Sequence, residues 1–140
     1  MSDWFDDVDL ATHRREARER TVSLLYEAEM KSVTSADVID ALPIVPDALV
    51  IELTVGVWEF AESLDEQVAA CLDKTWTMAR LAVLDRLVLR LAAYELIHRP
   101  QVPKGAVINE AVELAKYFSG PEAARFVNGV LSSVARNARD

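Results

Sequence analysis

At 140 residues, with 51% hydrophobic and 27% charged content, the chain has the size and mix of one globular domain, which excludes disordered and collagen-like classes. Fifteen Lys+Arg against twenty-three Asp+Glu give a net charge of −8. That balance excludes a generally basic nucleic-acid binder and leaves room only for a local basic patch. A lone cysteine, Cys71, can form no internal disulfide and no Cys-rich metal site, so neither metal nor cofactor is expected.

Residues 1–10 carry four aspartates and no basic residue, so they lack the charged start and apolar stretch of a signal peptide and read as an acidic arm spanning 1–11. Trp4 and Phe5 are unusual in such an arm and are expected to fold over an apolar groove, the alternative being a cover for a basic face. A first helix is expected over 11–30, with Ala17, Thr21, Leu24, Leu25 and Ala28 on one stripe. Thr34 and Asp37 have capping-box spacing for a short second helix. Pro46 suits a first helical position, and Leu49, Val50, Leu53, Val57 and Phe60 continue a stripe to about 62. Ser63 and Glu66 have the spacing of another capping box, for a helix reaching about 73.

The stretch 81–98 is apolar on nearly all sides, as for a helix at the centre of a bundle. Asp85, Arg86, Arg90 and Glu95 interrupt it, so it cannot be a membrane span, and a cytoplasmic location is expected. Pro103 opens a helix whose apolar set is Val107, Ile108, Ala111, Leu114, Ala115 and Phe118. Gly120-Pro121 resets the chain for a last helix through Val134. The fold class is therefore all-α, with about seven helices in two packed helical subdomains. Residues 12–140 are expected to form a single helical domain with a subdomain break near 76–80.

No catalytic constellation stands out: there are two histidines, no nucleophile elbow, no zinc-protease motif and no phosphate loop. Carboxylate pairs such as Glu110 and Glu113 fit a solvated helix face better than a catalytic dyad, so no enzyme is expected. The arginines differ. At 100° per residue, Arg14, Arg15 and Arg18 fall within an arc of roughly 100°. Pairing with Glu19 and Glu16 accounts for Arg15 and Arg20 but not for Arg14 and Arg18. A guanidinium fork suits phosphate, and nearby rings can stack bases. Within the octapeptide 124–131, Gly129 inside a helix costs about 1 kcal/mol relative to alanine, which predicts a close backbone neighbour there.

Several motifs together are specific. Arg14-Arg15-x-Ala17-Arg18-Glu19 with Leu25-Tyr26 comes first, then Asp85-Arg86-x-x-Leu89-Arg90-x-Ala92-x-Tyr94-Glu95-Leu96 and Val102-Pro103. Val107-Ile108-Asn109-Glu110-Ala111-Val112-Glu113-Leu114-Ala115-Lys116 and Phe126-Val127-Asn128-Gly129-Val130-Leu131 follow. In this order they resemble the NusB family of bacterial transcription antitermination factors over about residues 14–135. The resemblance implies a non-enzymatic adaptor that pairs with NusE, a small-subunit ribosomal protein, on the boxA element of ribosomal RNA leader transcripts. That assembly modifies RNA polymerase against premature termination. The resemblance further implies RNA contacts for Arg14, Arg15, Arg18 and Phe126, flanked by Glu122 and Arg125, and a partner face with Tyr26 and Asp85.

Glu16 and the acidic arm depart from the family's basic start. Because affinity for single strands scales with the phosphates neutralised, the isolated protein is expected to bind RNA weakly and to depend on its partner. Some family members dimerise, so a homodimer that covers the arginine face is a second option. The alternative function is a NusB-like paralogue, an interaction or dimerisation module with reduced or lost RNA binding. The related helical domain of ribosomal RNA cytosine methyltransferases is a further alternative.

Overall fold

The computed structural model describes residues 3–139, with side chains from Leu10 onward. Among these residues the elements are α1 (Asp3–Lys31), α2 (Ser35–Asp40), α3 (Ala48–Glu59), α4 (Ala61–Ala69), α5 (Val83–His98), α6 (Lys104–Ser119) and α7 (Pro121–Arg139), with a 3-10 turn at Met78–Arg80 before α5. No described residue is in a strand. The chain divides into two compact units, Met1–Val55 and Gly56–Asp140. This division differs from the expected break near 76–80. It falls within the continuous helix α3, where no loop signal marks it.

In the first unit, α1 begins at Asp3 rather than near residue 11, so the acidic arm starts the helix instead of preceding it. The segment contains neither Gly nor Pro, and acidic residues suit the positive end of a helix dipole. The side chains of Trp4 and Phe5 lie outside the described residues. The expected stripe is buried, with Ala17, Thr21, Leu24, Leu25 and Ala28 all at 4% exposure or less. Ala17, Leu24 and Ala28 pack with Val38 of α2 and Val50 of α3. The Thr54 hydroxyl meets that of Thr21 at 3.5 Å, which places two buried polar groups against each other.

Helix α1 ends in a Schellman motif, with Val33 N donating to Ala28 O at 3.0 Å and Ser32 N to Glu29 O at 3.2 Å. Ser32 takes the left-handed position that glycine usually fills, at φ 55°. The capping box at α2 forms as its spacing predicts: Asp37 N donates to Thr34 Oγ1 at 3.0 Å and Thr34 N to Asp37 Oδ2 at 3.1 Å. At α3 the cap is Asp47, not a proline at the first position. Its Oδ1 accepts from Leu49 N at 2.8 Å, and its carbonyl receives Ile51 N at 3.1 Å.

In the second unit, the expected capping box at Ser63 and Glu66 does not form, since α4 has already begun at Ala61 without a side-chain cap. Phe60 N donates to Gly56 O and Leu64 N to Phe60 O, at 3.0 and 2.8 Å, so backbone bonding runs through the junction and leaves no orphan N–H at Ser63. Helix α5 is central, as its all-round apolar sequence requires: residues 87–89 and 91–96 are buried, and α4, α6 and α7 pack on it. Gly56 lies so close to α5 that a Cβ there would sit inside the Tyr94 ring. Arg90 grips Asp65 of α4 with both ends of its fork, at 2.6 and 2.7 Å. At the other end of α5, Arg139 donates to four carbonyls, of Glu95, Leu96, Arg99 and Val102, at 2.6–3.1 Å. A cation there satisfies orphan carbonyls and opposes the negative helix end. Pro103 precedes α6 and Pro121 opens α7 as expected, with Gly120 at φ 97° between them.

Candidate nucleic-acid and partner interface

The arginines of α1 divide by their place on the helix. Arg14 and Arg15 are exposed, whereas Arg18 is only 7% exposed. The reason is periodicity: Arg18 stands three and four residues before Thr21 and Val22 and seven before Leu25, all buried. Arg15 and Arg18 both have interaction partners within the fold. The expected three-arginine face is thus narrower at the surface, and Arg18 belongs to the buried stripe. Beside it, His13, Glu16, Ala17, Arg20, Pro46, Asp47 and Val50 line a hollow of about 190 Å³. His13 Nε2 meets Asp47 Oδ2 there at 3.0 Å, so the α3 cap residue also holds α1. Tyr26, also on α1, is 40% exposed.

In the second unit, Glu122 and Arg125 are exposed on α7 and Phe126 is half-buried. Phe126 faces Trp76, with ring centroids 6.2 Å apart and planes at 52°. Trp76 is 45% exposed, and the Arg80 guanidinium lies 5.6 Å from its ring centroid. Motif reading missed Trp76 and Arg80. Their four-residue spacing is a weak local signal, and no local pattern connects them to a ring fifty positions later. The expected close neighbour of Gly129 is absent. A Cβ there would meet nothing within 4 Å, because Gly129 faces solvent. The close approach occurs at Gly56 instead.

Asp85 lies in the first turn of α5, where a carboxylate is favoured by the helix dipole. Its Oδ1 is buried and has no hydrogen-bond partner among the described residues. Leaving such an acceptor unpaired costs about 1–3 kcal/mol. Among the described residues no group of three or more His, Cys, Asp or Glu could hold a metal ion, and no helix is long and apolar enough to cross a membrane.

The described residues form an all-α protein with cationic and aromatic groups at its surface. Its sequence matches the profile of the NusB family over residues 15–136, and the chain belongs to that family. It is 40% identical over 137 residues to the transcription antitermination protein NusB of Dehalococcoides mccartyi (strain CBDB1), covering 94% of this chain and 95% of that one. The protein of the same name from Bacillus velezensis (strain DSM 23117 / BGSC 10A6 / LMG 26770 / FZB42) is 40% identical over 123 residues, covering 86% of this chain and 94% of its own. Among solved structures, T. maritima NusB superposes with a TM-score of 0.80 at 30% identity, covering 91% of this chain and 93% of that one. A structure of the antitermination factors NusB and NusE in complex with dsRNA gives 0.77 at 25% identity, covering 90% and 98%.

Proposed function

We propose that this protein is an RNA-binding transcription antitermination factor that pairs with a NusE-type small-subunit ribosomal protein on boxA RNA of ribosomal RNA leader transcripts. The pair acts within the RNA polymerase antitermination complex. It works in the cytoplasm, without catalysis and without a cofactor. The observation that carries the reading is the likeness, across 98% of the related chain, to a factor solved with NusE and RNA.

The site residues support it in separate ways. Arg14 and Arg15 supply exposed guanidiniums for phosphate. Arg18, nearly buried, positions that helix face rather than reaching the backbone of the RNA. Phe126 and Trp76 offer rings, with the Arg80 guanidinium 5.6 Å from the Trp76 ring centroid. Asp85, in the first turn of α5, and the exposed Tyr26 are the residues we assign to the protein partner.

The test is anisotropy of fluorescent boxA RNA at two salt concentrations, with and without the purified NusE-type protein, beside an Arg14→Ala/Arg15→Ala variant. Partner-enhanced binding is expected, with a log–log salt slope that flattens by about 0.7 for each phosphate the variant no longer neutralises. A stable complex with the ribosomal protein that binds no RNA at either salt concentration would overturn the reading and favour the paralogue that serves as an interaction module.

A further inference from the structure

We propose that Trp76, with Arg80 and Phe126 as neighbours, is a stacking site for one unpaired base of single-stranded RNA. The proposal rests on the RNA-binding reading above and adds to it a residue and a mode of contact. Tryptophan is seldom left this open, because its large ring gains much from burial. Here 45% of the residue is exposed, yet its surroundings are ordered. Trp76 N donates to Asp73 O at 2.9 Å, and Thr75 N donates to Asp73 Oδ1 at 3.3 Å, so a tight turn sets the backbone under the ring. Arg80 Nη1 donates to Thr75 O at 2.7 Å, which fixes the guanidinium that lies 5.6 Å from the ring centroid.

A ring fixed in place before the ligand arrives loses little rotamer freedom on binding. The 52° between the Trp76 and Phe126 planes makes an open angle between two rings rather than a closed stack. The charges nearby suit a nucleotide. Arg80 carries a delocalised cation at the ring, Arg125 adjoins Phe126 in sequence, and Lys74 is two residues before Trp76. Of the acidic groups, Asp73 is engaged in the turn, and Glu122 stands on α7 four residues before Phe126. Base stacking on an aromatic ring beside a cation is how single-stranded RNA is held with little sequence preference. Bases within a duplex stay stacked on one another and are unavailable to such a ring. The site therefore selects single strands over duplex.

The test uses the protein together with its NusE-type partner, in a Trp4→Phe/Trp58→Phe background where Trp76 is the one tryptophan of this chain. Emission is read as a difference from the partner alone during titration with single-stranded boxA RNA, and binding is read by anisotropy. Quenching of Trp76 by the single strand, and less by the same sequence as a duplex, is expected. Trp76→Leu should weaken binding about five-fold or more while leaving the salt slope unchanged, and Trp76→Phe should retain most of the affinity. Thermal unfolding of each variant checks that the fold survives, and Trp76→Phe separates loss of stacking from loss of packing. Unchanged emission at saturating RNA, or Trp76→Leu binding within two-fold of its parent, overturns the proposal while leaving the RNA-binding reading intact. If the unsubstituted complex binds no RNA, that reading fails and the stacking site fails with it.

Discussion

The two units build their candidate contacts by different means. In the first, the arginines lie on one continuous helix, so their grouping is a property of residue spacing. In the second, Trp76 comes from the turn before the 3-10 segment and Phe126 from α7, so their grouping is a property of packing. Even on one helix, spacing alone does not set exposure. Arg14 and Arg18 have the same chemistry one turn apart, yet the first is exposed and the second lies in the buried stripe.

The largest loss of stability is expected at the end of the second unit. Removing the guanidinium that joins α7 to four carbonyls at the end of α5 should destabilise the fold. Arg139→Ala should lower unfolding free energy by about 2–3 kcal/mol, in the range of a hydrogen bond to a charged group, and denaturant melts measure it. A loss under about 0.5 kcal/mol, the size of an ordinary surface substitution, would show that the contact is incidental.

Next come the two arginines. Arg18→Ala should cost about 1–3 kcal/mol of stability, because it vacates a buried site and strands its partners. Arg14→Ala should stay within about 0.5 kcal/mol of the parent and flatten the salt dependence of RNA binding instead. Equal stability losses would erase the distinction between the exposed and buried arginines. The remaining expected effect is a gain. Gly129 is exposed within α7 with nothing near its missing Cβ, so Gly129→Ala should raise stability by about 0.5–1 kcal/mol. A loss of stability in that variant would mean that the position is crowded after all.

Much of the fold is legible in the residues. Pro103 and Gly120-Pro121 punctuate α6 and α7, Thr34 and Asp37 cap α2, and the all-round apolar run 81–98 belongs to a central helix. Each of these follows from local geometry, whether a fixed φ, a side chain within reach of an orphan N–H, or the 3.6-residue period. The family resemblance is legible too, in the blocks around Asn109 and Asn128. Where local signals mislead, continuous structure overrides them. The Ser63–Glu66 spacing lies inside a helix already bonded back to Gly56, and the acidic start is helical because nothing in it breaks a helix.

The order of the helices and the apolar stripes of α1, α5 and α6 follow from the residues alone, because those depend on interactions within a few positions. Only tertiary structure decided that Arg18 is covered and Arg14 is not, that Gly56 rather than Gly129 meets a neighbour, that Arg139 closes α5, and that Phe126 finds Trp76. Those outcomes depend on which surfaces meet across tens of residues, and periodicity states that a face will be buried without stating what will bury it.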